Sequence, residues 1–314
     1  MGVFEKSQAF PRKRPQLFYR SLCLEVEHLL SKVDIWQIKM GNADTKLHFR
    51  KAVIQLTTKT QPVDVADDEF WDQFWSDSVT TVQDVFTLLP SAEIRALREE
   101  SPSNLATLCY KGVEKLVSAA DSSCRSQKEM TQVLNSARLL TRLIPYIFED
   151  PDWRAFFWSS IPNHDPNESL SLAHSLLNAV CDLLFCPEFT VAPNKTNGAG
   201  RDEAEDLQNI DSCEYIWAPG VGFANTPQHA TSYDMHRREL LRLLSTCFSQ
   251  SMYLPPVGEA HAVNNRWVAH FTSAENRHAL PLFTSLLNLV CSYEPAGILP
   301  YNHLIFQVRF LSMT

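Results

Sequence analysis

The spacing of apolar residues is the feature that most constrains the fold of this chain. Ten segments carry apolar side chains three and four residues apart, which places them on one face of an α-helix. Segments with the two-residue alternation of a β-strand are scarce. This pattern predicts an all-α protein of stacked antiparallel helix pairs, an α-solenoid fragment of the armadillo/HEAT kind, although no clean repeat of fixed length is visible.

Capping residues indicate where several of these helices begin. Asp67 and Asp68 precede an aromatic run, 70–75, whose side chains would lie on one helix face and pack in the core. Ser91 is predicted to cap the helix at 92–100. Ser126 and the glutamate three residues later have the spacing of a capping box. Pro145 is expected to end or kink the helix that begins after Ser126.

Composition argues against a nucleic-acid partner and against metal or disulfide chemistry. The chain has a formal net charge of −8, and its one tight basic run lies at 12–14. Binding to a phosphate backbone requires clustered basic side chains, so no nucleic-acid partner is predicted. The eight cysteines form no C-x-x-C pair, which favours reduced, buried thiols in the cytosol. No metal ligand set and no cofactor site are predicted.

Any contact with a membrane is expected to be peripheral. The amino terminus lacks the features of a secretory signal. The nearest approach to a membrane span is 170–185, where His174, Asn178 and Asp182 interrupt the apolar residues. This segment is therefore predicted to be a buried core helix.

A possible lipidation site lies at 40–45, which reads Met-Gly-Asn-Ala-Asp-Thr. The pattern M-G-x-x-x-[ST] directs N-myristoylation of its glycine, here Gly41, once that glycine is the amino terminus. Basic residues follow, as a lipid-anchored segment requires for a second membrane signal: Lys46, Arg50 and Lys51. Gly41 is internal, so its modification requires translation from Met40 or proteolysis. The alternative interpretation is a turn between two helices.

No catalytic motif is recognisable in the sequence, and no catalytic residue is predicted. Three candidates can be nominated for an enzyme of unknown type: Glu149, Asp150 and His278. A catalytic pair would need these side chains to converge in one pocket. The acidic residues at 149–152 are better explained as favourable charges at the start of a helix, and the histidines as surface or helix-end residues.

Long segments of the chain resemble the high-temperature-induced dauer-formation protein family, which is related to dymeclin. They include Met40-Gly41, FRKAVIQLTTKT at 49–60, FWDQFW at 70–75, and the segments 137–142, 145–153, 211–217 and 276–288. The resemblance covers about residues 40–306. It implies a myristoylated, non-enzymatic, peripheral protein of the Golgi and trans-Golgi network. Such a protein acts in dense-core vesicle formation and cargo sorting, with unidentified trafficking proteins as partners.

The resemblance also divides the chain. Residues 1–39 are expected to form an atypical, partly disordered extension, and 40–306 the helical family domain with an acidic mobile loop at 193–211. The tail, 307–314, departs from the family pattern. A chain translated from Met1 would keep Gly41 internal and stay cytosolic. Alternatively, this sequence is a non-functional truncated isoform or a gene-model fragment.

Overall fold

A computed structural model describes residues 43–58, 61–75, 81–159, 171–193, 216–220, 230–254 and 265–291. Within these residues the chain is mostly α-helical and forms no β-strand, which confirms the predicted all-α class. The chain divides into two compact units, Met1–Ala43 and Asp44–Thr314. The predicted extension, most of the acidic loop and the predicted tail lie outside the described residues. The solenoid arrangement stays a prediction.

Ten α-helices and three short 3₁₀ segments are present in the described residues. The helices are α1 (Ala43–Thr58), α2 (Asp68–Trp71), α3 (Val82–Leu88), α4 (Ser91–Glu100), α5 (Pro102–Asp121), α6 (Gln127–Glu149), α7 (Leu172–Leu183), α8 (Thr231–Phe248), α9 (Arg266–Phe271) and α10 (Ala279–Cys291); the 3₁₀ segments are Asp72–Phe74, Phe156–Trp158 and Ser249–Tyr253.

Most of the predicted helix starts are confirmed. The Ser126 hydroxyl accepts a hydrogen bond from the backbone N–H of Glu129 at 3.1 Å, and the Glu129 carboxylate accepts one from the Ser126 N–H at 3.0 Å. Asp67 accepts from the N–H of Phe70 at 3.0 Å and so caps α2. The prediction for Ser91 is wrong by one residue, since Pro90 is the N-cap and Ser91 is the first helical residue.

Helix α6 continues past Pro145 to Glu149, so of the two predicted effects of this proline, an end of the helix is wrong, while a kink stays a prediction. A proline inside a helix loses one hydrogen bond and costs about 3 kcal/mol. The residues that follow it, Tyr146, Ile147 and Phe148, are all buried. Burying a large apolar side chain contributes about 1.5–3 kcal/mol, so burial of this last turn outweighs the lost bond.

The core forms where α5 packs against α6 and α7, and where α6 also packs against α8. Each of these helices buries one face on which leucine is the main aliphatic residue. Helices α5 and α6 approach closely at Gly112, where an added Cβ would lie 3.3 Å from a methyl carbon of Leu140. The small residue thus lets the two longest described helices pack directly together.

Aromatic side chains fill the core at two places. Phe70, Trp71, Phe74 and Trp75 are all buried, which confirms their predicted role in packing. The indole nitrogen of Trp71 donates to the carbonyl of Asp64 at 2.8 Å. The second group surrounds Trp267, whose ring centroid lies between 5.2 and 5.9 Å from those of three neighbours: Phe148, Phe157 and Trp158.

Candidate functional site

The predicted lipidation site directly precedes the first described helix. Gly41 itself lies outside the described residues, and α1 begins two residues later at Ala43. The three basic residues predicted to support membrane binding lie on α1. The described part of the candidate site is therefore this helix and the residues that hold it.

One face of α1 is fixed in the core. Phe49, Ala52, Val53 and Leu56 are buried, and the ring of Phe49 meets that of Phe74 edge to face at 5.5 Å. The carboxyl end of the helix is held by Asn104, which donates to the carbonyl of Leu56 at 3.4 Å. The opposite face of α1 is thereby directed to solvent.

Lys46 is held in an ion pair. Its ammonium lies 2.6 Å from a carboxylate oxygen of Asp84 in α3. The other Asp84 oxygen accepts a hydrogen bond from the Thr81 hydroxyl at 2.7 Å. Thr81 caps α3, and a carboxylate in the first turn of that helix is favoured by the helix dipole. Lys46 therefore joins α1 to the start of α3.

Arg50 is also engaged within the fold. Its two terminal nitrogens contact the two carboxylate oxygens of Glu93 in α4, each at 2.5 Å. One of these nitrogens donates to the carbonyl of Leu88 at 3.1 Å, near the end of α3. The hydrogen bond to Glu93 raises the pKa of Arg50 above its ordinary value. Arg50 thus ties α1 to both α3 and α4.

Lys51 is the exposed member of the three basic residues. It has no ion-pair partner within the described residues. Leu47 and Ile54, four residues before and three residues after it, are exposed on the same side of α1. The outer face of α1 therefore carries one lysine and two aliphatic side chains beside the exposed polar residues His48, Gln55 and Thr58.

The acidic residues at 149 and 150 lie at the end of a helix, so their predicted position at a helix start is wrong. Glu149 is the last residue of α6 and Asp150 is its C-cap. The helix dipole disfavours negative charge at this end. Two arginines of α4 compensate: Arg95 donates to Glu149 through two nitrogens at 3.0 and 3.1 Å, and Arg98 Nε lies 3.2 Å from Asp150.

His278 is buried and immediately precedes α10. Its Nε2 lies 2.7 Å from a carboxylate oxygen of Asp182 in α7, and its ring stacks on Phe185. Burial opposes ionisation of Asp182, but the hydrogen bonds from His278 and Arg277 outweigh it and hold the pKa of this carboxyl below its usual value. Among the described residues, no hydrogen bond or ion pair joins His278 to the acids at the end of α6.

The cysteines among the described residues are free thiols. Burial raises the pKa of Cys124, Cys181 and Cys186 to about 12, which keeps them protonated at neutral pH. Across the described part of the chain, no three His, Cys, Asp or Glu side chains converge to hold a metal ion. No described helix combines the length and apolar character needed to span a bilayer.

Sequence reasoning identified the basic residues of α1 but missed their partners. Asp84 and Glu93 lie 38 and 43 residues further along the chain. The one signal available for Asp84 was its place three residues after a threonine, a spacing typical of a helix start. Nothing in the local sequence of Arg50 or Glu93 predicts that they meet.

The model of one protein family, described as high-temperature-induced dauer-formation protein, matches residues 40–311. Protein HID1 of Homo sapiens is 62% identical over 277 residues, which cover 85% of this chain and 35% of the human protein. A Hid-1 family protein of Schizosaccharomyces pombe is 31% identical over 262 residues, covering 81% of this chain and 30% of that protein.

A second protein of the same yeast, the Ubp5-interacting protein ftp105, is 32% identical over 347 aligned positions that cover 84% of this chain and 36% of that protein. The chain thus spans about a third of the length of these relatives. No solved structure matches it.

Proposed function

The chain belongs to the high-temperature-induced dauer-formation protein family, and on this basis we propose that it is a peripheral protein of Golgi and trans-Golgi membranes. It acts there without enzymatic activity in the formation of secretory dense-core vesicles and in cargo sorting. Myristoylation of Gly41 holds it at the membrane when translation starts at Met40. The observation that carries this proposal is the family match, which begins at Met40, the residue directly before the lipidation glycine.

A single myristoyl chain gives only marginal membrane binding, so the anchor requires a second contact. Lys51 can supply this contact, because it is an exposed cation that follows Gly41 by ten residues in the sequence. A cation near an anionic membrane surface contributes about 1 kcal/mol. Lys46 and Arg50 contribute less than the sequence suggested, since their charges are paired with Asp84 and Glu93.

The aliphatic residues beside Lys51 add to this contact. Leu47 and Ile54 lie on the same outer face of α1, and the buried face of the helix keeps them turned away from the core. A helix that presents aliphatic side chains around a lysine can rest its outer face in the headgroup region. We assign the second membrane signal to this face.

The remaining function is the binding of trafficking proteins. The name of one yeast relative states that it interacts with another protein, Ubp5, which supports a protein-binding role. The relatives do not carry the names of enzymes. The nominated catalytic residues are also better explained by structure, because Glu149 pairs with Arg95 and His278 with Asp182.

The proposal is tested in secretory cells that lack their endogenous relative. The chain starting at Met40 and its Gly41→Ala variant are expressed as fusions to a carboxyl-terminal fluorescent protein, with the full-length human relative as the positive control. We expect the Met40 chain to colocalise with a trans-Golgi marker and the Gly41→Ala variant to be diffuse. A diffuse Met40 chain would contradict the anchor.

Cargo storage tests the second half of the proposal in the same cells. If the Met40 chain carries the sorting function, it restores the cellular content of a dense-core hormone towards the level reached with the human protein. If the human protein restores that content and the Met40 chain reaches the Golgi without doing so, this part of the family sequence supplies targeting, and the sorting claim fails for this chain.

A further inference from the structure

Three arginines converge on one buried glutamate where α6 packs against α8. The side chain of Glu239 in α8 is 5% exposed, and its carboxylate forms ion pairs with three guanidinium groups, those of Arg138 in α6 and of Arg238 and Arg242 in α8. The distances from nitrogen to carboxylate oxygen are 3.0 Å for Arg242 and 3.6 Å for the other two. One carboxylate is thus shared by three cations, which leaves two positive charges in excess.

The buried member of the group, Arg138, shows that one carboxylate does not satisfy these cations. One terminal nitrogen of Arg138 donates to the side-chain oxygen of Asn135 at 3.3 Å. Its buried Nε donates no hydrogen bond within the described residues. Burial lowers the pKa of Arg138, Glu239 raises it, and the charges of Arg238 and Arg242 lower it further. A second anion beside these arginines would therefore be favoured.

The other two arginines are open to solvent. Their side chains are 56% exposed for Arg238 and 46% exposed for Arg242. They are four residues apart, so they lie one turn from each other on the same face of α8. Each guanidinium group has five N–H donors. Within the described part of the chain, Arg242 donates one side-chain hydrogen bond, to Glu239, and Arg238 donates none. Most of these donors can therefore bind a ligand that arrives from solvent.

We call Arg138, Arg238, Arg242 and Glu239 the arginine cluster, and we propose that it binds the phosphate group of a phosphorylated side chain on a partner protein. A phosphorylated serine or threonine carries a charge of about −1.5 to −2 at neutral pH, which matches the excess charge of the cluster. A carboxylate would neutralise only half of that excess. The planar guanidinium group also presents paired N–H donors that fit two phosphate oxygens. This site goes beyond the proposed function and does not depend on the anchor at Gly41.

The neighbouring ionisable side chains of α8 do not cancel the excess charge. Asp234, one turn before Arg238, is paired with Arg237 at 3.0 Å. His236 contacts the carbonyl of Phe189 through Nδ1 at 2.7 Å. Burial lowers the pKa of His236, so this side chain is neutral at pH 7. Among the described residues of this helix, the two exposed arginines thus remain the sites where an external anion is attracted.

A membrane is the other source of phosphate groups, and the surface around the cluster favours a protein. Segments that bind anionic lipids typically carry clusters of about four to eight lysines or arginines. Here two arginines are exposed, and Met235, three residues before Arg238 on the same helix face, is 48% exposed. Methionine and arginine are both enriched where proteins contact each other. A phosphorylated segment that also covers Met235 would use both kinds of side chain.

Peptide binding to the unmodified 314-residue chain tests this proposal. The probe is a short fluorescein-labelled peptide with one phosphoserine between alanines, and its binding is followed by fluorescence anisotropy. The same peptide with serine or glutamate at that position is measured in parallel, and inorganic phosphate serves as the competitor. Flotation with phosphatidylcholine vesicles that contain a phosphatidylinositol phosphate measures binding to lipid headgroups.

The variants are Arg238→Gln and Arg242→Gln, with Arg95→Gln as the matched control. Arg95 is 45% exposed and lies on α4, outside the cluster. All three substitutions replace an exposed arginine by a neutral side chain of similar polarity. Thermal unfolding of each protein establishes that it is folded before binding is measured.

We expect the phosphoserine peptide to bind about tenfold more tightly than the serine and glutamate peptides, because it alone supplies a doubly charged acceptor, and inorganic phosphate to displace it. Arg238→Gln and Arg242→Gln should each weaken binding about tenfold, since each removes charge-assisted hydrogen bonds, and Arg95→Gln should leave it unchanged. Equal binding of the three peptides, an equal loss in Arg95→Gln, no measurable binding, or flotation with the vesicles without peptide binding would each overturn the proposal.

Discussion

The ammonium of Lys46 lies 2.6 Å from the carboxylate of Asp84, which joins the first described helix to α3. Both side chains are largely shielded from solvent, so this lysine belongs to the fold as well as to the basic segment behind Gly41. Lys51, five residues later, is exposed. The contribution of α1 to stability and its proposed contact with a membrane can therefore be tested on separate lysines.

The first prediction compares these two lysines. Lys51→Ala should weaken binding of the myristoylated chain to anionic vesicles about fivefold, because one surface cation contributes about 1 kcal/mol, and should leave thermal stability unchanged. Lys46→Ala should lower the free energy of unfolding by about 0.5–1 kcal/mol, since it removes a partly shielded ion pair. Vesicle flotation and chemical denaturation measure the two effects. Equal loss of vesicle binding in both variants would show that Lys46 faces the membrane.

The second prediction concerns the two arginines that hold the end of α6. Arg98 is 9% exposed and donates to the carbonyl of Tyr146 at 2.7 Å, whereas Arg95 is 45% exposed. Arg98→Ala should lower the free energy of unfolding by about 2–3 kcal/mol, because it leaves a buried acceptor and Asp150 without their partner. Arg95→Ala should cost less than about 1 kcal/mol, as a surface ion pair does. Urea denaturation of the two variants tests this order, and the reverse order would refute the structural role of Arg98.

The third prediction concerns the close approach of Gly220 to α10. Gly220 has a φ of +155°, and an added Cβ would lie 2.4 Å from the side-chain oxygen of Asn288. Gly220→Ala should therefore destabilise the protein by about 1–3 kcal/mol. Asn288→Ala removes the clashing atoms, so the second substitution should cost less in the Gly220→Ala background than alone. A double-mutant cycle in urea measures this coupling, and additive costs would exclude it.

The fourth prediction is a pH dependence from His236. Burial lowers the pKa of His236, and nearby Arg138 lowers it further, although a hydrogen bond to the carbonyl of Phe189 at 2.7 Å acts in the opposite direction. The unfolded chain therefore binds this proton more readily than the folded chain. The stability that depends on neutral His236 is complete above pH 6.5, the ordinary pKa of histidine, and is lost as the pH falls below that value. His236→Asn keeps a donor near Phe189 but cannot titrate. Its free energy of unfolding should fall less between pH 7 and pH 5 than that of the wild type, and an unchanged slope would contradict the assignment.

Local signals in the sequence are sufficient to predict those structural features that depend on residues a few positions apart in the chain. The capping box of Ser126 and Glu129 and the cap at Asp67 involve residues three positions apart, so their hydrogen bonds could be predicted. The periodicity of apolar residues likewise identified most of the helices, because burial of one face is what stabilises a helix in a protein.

Contacts between distant residues could not be predicted in this way. The acids at 149–150 are expected at a helix start because the helix dipole favours negative charge there, but they lie at the end of α6, and the arginines that stabilise them lie on α4. Helix α10 was recognised by its length and composition. Its sequence does not reveal which of its faces is buried, since that depends on two hydrogen bonds with the segment at 216–220: Ser285 accepts from the Trp217 N–H and Asn288 donates to the Ala218 carbonyl.

The most direct test of the membrane anchor is metabolic labelling with a clickable myristate analogue, followed by membrane fractionation. Three chains are compared: one translated from Met1, one from Met40, and one from Met40 that carries Gly41→Ala. We predict that, of the three chains, only the unsubstituted chain that starts at Met40 is labelled and recovered with Golgi membranes. Absence of label from the chain that starts at Met40 would contradict the account, and any membrane association would then have to come from protein partners.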